Sequence, residues 1–420
     1  MTNLISIIVS LIVLLIIIYV KDMQAVKSRT TYHGTLYYRL TNASRFLIIF
    51  SMIIFIIVCI IDVSINKYDN SWLSVITVVL NALSVAVITL PISVSNIYNS
   101  IFREEEKILY TKYVATDIYD KKMIYNFNKA GIKVIILSKE DLNTKIKTVT
   151  EKKFKEELLN DNLIIKTNDK KVLKNIDNVI YEFRDLKKCF HKIELARSKM
   201  DNVARIVKYN VLTYLPLLLL YFDLVITKYP VYYSILIILL LKLLTALVSE
   251  HVYKKMNSDN DLMERTTIIE GRLIGRQEVF FLIATCFIAL FCYALPYQFV
   301  LSEGGSISLG LTLFLSTFLF NNIFITYALY SESALVKNIV KAFKNYQVIL
   351  YVIYLIVITI LINFIHFLGT KQMGIQNYLS SIIFGFIPVL VIEIVKFARY
   401  TTTRGVKKNE SKTNKKPKRS

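Results

Sequence analysis

Residues 185–226 read DLKKCFHKIELARSKMDNVARIVKYNVLTYLPLLLLYFDLVI. The first half carries Lys, Arg, Asp and Glu at helical spacing, and no Pro or Gly interrupts it before Tyr209. The second half is a run of Leu, Tyr, Phe, Val and Ile. A helix that starts among charges and ends in an apolar run is a stalk entering a membrane. The expectation is one helix from Asp185 that enters the bilayer at about Tyr209 and continues as a span over 206–226.

Other apolar runs surround this one. A spanning helix needs about 20 mostly apolar residues. Candidate spans lie at 3–20, 45–65, 72–98, 206–226, 230–250, 278–299, 306–328, 346–366 and 378–397. Mean hydropathy is +0.48 and the hydrophobic fraction 54%, values that place the chain among membrane proteins. The expected fold is an α-helical polytopic membrane protein of about nine spans. It divides into residues 1–100 with three spans, a soluble piece at 101–205, a six-helix part at 206–400 and a basic, disordered tail at 401–420.

Charge fixes the orientation. The formal net charge is +21, and the charged residues concentrate in 21–45, 101–208, 251–278, 331–346 and 396–420. Cytoplasmic loops carry the excess Lys and Arg, so these stretches are placed inside, and a nucleic-acid partner is not expected. The intervening outside loops hold only Lys67, Lys228 and Lys371 as basic residues. The first segment has no basic residue ahead of it and no small-x-small cleavage site after it, the pattern of an uncleaved anchor. The expectation is a cell-membrane protein with its N-terminus outside and its C-terminus in the cytoplasm. The tail VKKNESKTNKKPKRS is then suited to anionic lipid. Cys59, Cys189, Cys286 and Cys292 form no CxxC pair, so they read as small buried residues rather than a zinc site or disulfide framework. His33, His191, His251 and His366 share no metal-ligand spacing.

The soluble piece reads as a small α/β layer. A helix over 121–130 leads to a strand over Gly131–Leu137, and a Lys- and Glu-rich helix is expected over 141–160. Short strands are expected at 162–166 and 178–182. Residues 101–208 contain a single glycine, Gly131. Loops that cradle phosphates need glycines so that backbone N–H groups can approach the oxygens. No GxxxxGK[ST] or GxGxxG occurs, and neither a nucleotide nor another cofactor is expected.

Two stretches carry a family resemblance. Residues 120–144, DKKMIYNFNKAGIKVIILSKEDLNT, and 176–210, IDNVIYEFRDLKKCFHKIELARSKMDNVARIVKYN, resemble segments of the phosphorylation domain of P-type cation-transporting ATPases. The membrane part resembles the same family at Asp261–Arg265, Gly271–Arg276, Phe320-Asn321-Asn322, Ser331-Glu332-Ser333 and Glu393-Ile394-Val395-Lys396. The resemblance implies a truncated member without the actuator and nucleotide-binding domains. The family's aspartyl-phosphate motif DKTGT has no match, since neither Asp120-Lys121 nor Asp169-Lys170 is followed by Thr-Gly. Its TGD is replaced by Ser138-Lys139-Glu140, and its GDGxND loop is unrecognisable near Lys166–Asp169. Aspartyl phosphorylation needs nucleophile, magnesium ligands and nucleotide together. The family's ion-ligating acids are also missing. Its kinked fourth helix aligns with Leu80–Ser84, its fifth-helix ligands with Tyr214 and Leu217, and its sixth-helix ligands with Lys242 and Ala246.

Within the spans, Lys242 and Asp223 are the candidate functional or structural pair. A charge in mid-span is costly. Lys242 either fills the former ion site as a built-in cation facing Asp223, or snorkels to the interface. Asn321 and Asn322 are expected to hydrogen-bond helices together. The function expected is a catalytically inactive P-type ATPase-like protein, not an enzyme, acting as a subunit, scaffold or regulator beside a membrane-protein partner. The alternative is a transporter of a solute, lipid or ion that does not hydrolyse ATP itself. An ATP-driven pump of altered design is the third reading.

Overall fold

The computed structural model describes residues 106–109, 111–116, 119–137, 148–149, 163–166, 179–182, 185–226, 252–253, 256, 259, 261–264, 274–333, 335–364 and 370–413. The expected spans at 3–20, 45–65, 72–98 and 230–250 lie outside them.

A parallel sheet comes first. A short helix α1 (Glu106–Leu109) precedes β1 (Tyr113–Thr116), α2 (Lys121–Lys129) and β2 (Lys133–Leu137). Then follow β3 (Thr148–Val149), β4 (Leu163–Lys166) and β5 (Val179–Glu182). The strand order is β3-β2-β1-β4-β5, and every pairing is parallel, with Tyr113 opposite both Lys133 and Leu163. The order reverses direction at β1, as in doubly wound sheets.

Local chemistry explains the first unit. Asp120 caps α2 by accepting the backbone N–H groups of Lys122 and Met123 at 3.0 and 3.1 Å, which satisfies two of the donors a helix start leaves open. Met123, Ile124 and Phe127 form its buried face. Gly131, at φ 75°, makes the left-handed turn into β2, a conformation that glycine adopts without steric cost.

Two expectations change here. Thr148 and Val149 pair with Ile136 and Leu137, so the helix expected over 141–160 is not continuous. β-Branched Thr148 and Val149 favour an extended edge over the helix that the flanking Lys and Glu suggest. β1 was not foreseen at all, although Val114 and Ala115 at the sheet centre are fully buried.

The long helix runs as expected. α3 spans Leu186–Ile226 without a break. Its inner face joins Ile193, Ala196, Met200 and Val203 to the same core as Val114 and Phe127 on one side and Phe314 and Tyr351 on the other. Phe190 meets Phe127 edge-on at 5.2 Å.

The bundle follows: α4 (Arg276–Ser302), α5 (Ile307–Ala328), α6 (Leu335–Lys344), α7 (Tyr346–Phe364) and α8 (Ile375–Thr413). Among the described residues, four helices are long and apolar enough to cross a membrane: Glu278–Ser302, Ile307–Ala328, Tyr346–Phe364 and Ile375–Ala398. The chain is therefore a multi-pass membrane protein. α5 is buried nearly all round and contacts α3, α4, α6, α7 and α8. Outward faces of α4 and α7 are rich in exposed Phe, Leu, Ile and Val, the surface a hydrocarbon solvent requires.

α6 lies in a stretch expected to be an inside loop. α8 continues as helix to Thr413, which corrects the expectation of disorder for residues 401–413. A helix that is already formed needs only propagation, not a new nucleus, to extend past the bilayer.

Candidate functional site

The charged half of α3 turns one face inward. Arg197, Asp201, Asn202, Arg205 and Lys208 are all buried, and all but Asp201, which pairs with Arg205 on the same helix, bond to other parts of the molecule. The Arg197 guanidinium donates to the carbonyl of Ala130 at 2.9 Å, in the turn before β2, and to that of Met263 at 3.2 Å. Burial pushes Arg197 down to about 10, which leaves it charged at neutral pH. Asn202 donates to the carbonyl of Met256 at 3.1 Å. Arg205 pairs with Asp201 at 2.8 Å and Asp259 at 3.4 Å. Asp259 in turn accepts the backbone N–H of Glu332 at 3.1 Å.

At the membrane edge the network becomes ionic throughout. Lys208 Nζ meets Glu278 Oε1 at 2.6 Å and also Glu332 Oε1. The second oxygen of Glu278 accepts the backbone N–H of Gly275 at 3.4 Å, so one carboxylate caps α4 and holds α3. Lys396 donates to the carbonyls of Ala328 and Ser331, the latter at 2.7 Å, and lies 3.1 Å from Glu393. Glu393 accepts the Leu335 backbone N–H at 2.6 Å. A small cavity of ≈ 40 Å³ lies beside Lys208, Glu278, Glu332 and Lys396, and its walls are mostly apolar, from Leu212, Phe281, Leu329 and Ile392.

Five pieces of chain meet at this junction: α3, the start of α4, residues 331–333, the start of α6 and α8. Ion pairs this buried repay their desolvation only when geometry and further hydrogen bonds are both good. Here Glu278 and Glu393 each accept a backbone N–H besides meeting a lysine. The chemistry is that of a lock. Lys208 and Lys396 are each held by two oxygens from neighbouring elements.

Deeper in the bundle, neutral polar groups take over. The Tyr209 hydroxyl donates to Asn322 Oδ1 at 2.8 Å and lies 2.5 Å from the Tyr351 hydroxyl. The Tyr293 hydroxyl donates to Asn321 Oδ1 at 2.7 Å, and Asn321 Nδ2 donates to the carbonyl of Gly385 at 2.7 Å. Asn321 and Asn322 thus join α3, α4, α5, α7 and α8, as expected of intramembrane amides. Gly385 permits this approach: a Cβ there would lie 3.0 Å from the Asn321 backbone N and from the Thr317 carbonyl.

The expected Lys242–Asp223 pair has no geometry here. Lys242 lies outside the described residues, and Asp223 is placed only as a residue of α3. Among the described residues, no cluster of His, Cys, Asp and Glu could hold a metal ion. Cys189, Cys286 and Cys292 are buried and free, and burial pushes the Cys189 thiol up to about 12. His191 lies 3.3 Å from Glu194 on an exposed helix face.

The ionic junction was not foreseen as a site. Its signal in the sequence is charge placed where apolar runs begin or end: Lys208, Glu278, Glu332, Glu393 and Lys396. Two of the segments quoted for the family resemblance, Ser331-Glu332-Ser333 and Glu393–Lys396, meet in this junction.

Residues 230–398 match the family model described as Cation transporting ATPase, C-terminus. The matched range contains α4 to α7, the membrane part of α8, and every partner of Lys208 in the junction. A search of curated proteins finds no match to the chain. The family match relates the chain to P-type cation ATPases through its membrane domain.

Proposed function

We propose that this chain is a P-type ATPase-like membrane protein that no longer phosphorylates itself and serves as a subunit, scaffold or regulator of a membrane complex. In this reading the sheet is the reduced remnant of a phosphorylation domain, placed on the cytoplasmic side of the cell membrane, with the N-terminus outside.

The observation that carries the reading is the use to which Asp120 is put. Ligands of doubly wound sheets sit beyond the carboxyl ends of the strands, where the strand order reverses. β1 is the reversal strand, and two acids follow it in the sequence, Asp117 and Asp120. The Asp120 carboxylate is occupied as the cap of α2. The one glycine of residues 101–208 is Gly131, before β2 at the amino end of the parallel strands, opposite the end that Asp120 follows. Loops that wrap phosphate oxygens closely with backbone N–H groups are characteristically glycine-rich. The elaborate ionic junction between sheet stalk and bundle supports a retained mechanical or assembly role.

The test has two arms, both on the full chain in its native membrane. Incubation with labelled ATP and Mg²⁺, followed by acid quench, is expected to give no hydroxylamine-sensitive phosphoenzyme. A labelled species that disappears in Asp117→Asn, at the residue directly after β1, would overturn the proposal. Pull-down in mild detergent with quantitative mass spectrometry is expected to retain a stoichiometric membrane partner. Recovery of the protein alone would turn the reading to ATP-independent transport and to Lys242.

A further inference from the structure

α6 is ten residues long, LVKNIVKAFK, about 15 Å at helical rise. It is far too short to cross a bilayer, which takes about 20 residues. Yet Ile339, Val340 and Phe343 are 40%, 61% and 54% exposed, and Tyr346, the first residue of α7, is 68% exposed. Crossing the membrane explains the exposed apolar faces of α4 and α7. It does not explain this one.

Its place in the chain does. α5 ends at Ala328 and α7 begins at Tyr346, and both are long enough to span. α6 therefore connects two successive spans at one membrane face. That face is the one that bears the sheet, because the start of α6 bonds to Glu393 in the junction reached by α3. Asn345 ends α6 and caps α7, accepting the backbone N–H of Gln347 at 3.0 Å. The two helices are thus separate elements. Phe343 rests one face on Tyr327 at 4.8 Å between ring centroids, and Ala342 is buried against the bundle.

Charge names the partner. α6 contains Lys337, Lys341 and Lys344 and no acid, and Lys341 and Lys344 are exposed. Apolar side chains beside exposed lysines on a short helix are what the headgroup region of a bilayer receives: apolar groups enter the acyl boundary and ammonium groups meet lipid phosphates. We infer that α6 is an interfacial helix that binds the anionic lipid surface on the sheet side of the membrane, through Val340, Phe343, Lys341 and Lys344. This inference holds whether or not the chain is an inactive subunit.

The experiment uses the full chain in lipid nanodiscs. The protein has one tryptophan, Trp72. In a Trp72→Phe background, Val340→Trp gives a single reporter on α6, and Tyr346→Trp serves should that variant fail to fold. Nanodiscs contain phosphatidylcholine alone, or phosphatidylcholine with phosphatidylglycerol at roughly one part in three, the anionic lipid supplying the surface potential that lysines sense. Emission is expected to be blue-shifted and quenched by bromine placed at shallow depth, and the quenching should be several-fold stronger in the anionic discs. Lys341→Glu with Lys344→Glu should remove the difference, as should salt at about 1 M, where the screening length falls to about 3 Å. Equal quenching in both lipids would overturn recognition of anionic charge. No quenching in either would overturn the interfacial helix and leave the face to a protein partner.

Discussion

Lys208 ties α3 to the bundle through two carboxylates. Its ammonium lies between Glu278 and Glu332, with its side chain 5% exposed. Lys208→Met keeps the apolar stem but leaves two carboxylates facing each other at the edge of the bilayer. Breaking a buried pair from one side costs about 3–5 kcal/mol. The expected outcome is a large fall in the thermal unfolding midpoint of the detergent-purified protein. Adding Glu278→Gln and Glu332→Gln to that variant should recover much of the loss, because the uncompensated charge goes with it. A Lys208→Met protein as stable as the parent would show that the junction contributes no stability. Cys189 gives a second residue-scale test. Burial holds its thiol near 12 against an ordinary 9.0. Below about pH 9 the thiol is protonated in folded and unfolded chains alike. Between about 9 and 12 the unfolded thiol has lost its proton and the folded one has not, so stability falls as pH rises. Near pH 8, maleimide labelling of Cys189 is expected to be much slower in the native protein than after denaturation, and peptide mass mapping would read both. Equal rates would place the thiol at the surface.

Helix packing is decided by a few small or polar positions. Gly385 lets α8 approach α5 closely enough for its carbonyl to accept from Asn321. Gly385→Ala puts a methyl 3.0 Å from backbone atoms of α5, and backbone cannot move aside as a side-chain tip can. Overpacking of this kind costs about 1–3 kcal/mol. The expected result is a lower unfolding midpoint and a weakened α5–α8 contact, read by the efficiency of an engineered cysteine cross-link between the two helices. Wild-type cross-linking and stability would remove the close-approach argument. The same scale shows what the chain reveals on reading. Apolar runs such as 306–328 and 346–366 announce helices within two residues of Ile307–Ala328 and Tyr346–Phe364, because bilayer thickness sets a length that composition cannot hide. β1 escaped because Tyr113–Thr116 is four residues among charges, too short to show a period. α6 escaped because a run of ten residues with three lysines resembles a loop when only hydropathy is weighed.

Across the whole molecule, the site was less legible than the fold. Lys208 and Glu332 are 124 residues apart, and nothing in either segment names the other. A bundle with α5 at its centre brings the end of the stalk, the start of α4 and the Glu393–Lys396 turn of α8 together. Intramembrane amides could be read beforehand, since Asn321 and Asn322 in an apolar helix have few options besides a neighbouring helix. The ionic residues could not, since charge at the end of a span is ordinarily solvated. The 41 residues of α3 measure about 60 Å at helical rise. That makes the helix a stiff rod with one end held beside the sheet by Arg197 and the middle clamped by Lys208. Pro216 has no N–H to give the carbonyl of Leu212, so the rod's compliance is concentrated beyond the clamp, inside the expected span. A force applied at the sheet is therefore expected to bend the rod first in the interior of the span, beyond the clamp, rather than between the sheet and the membrane edge.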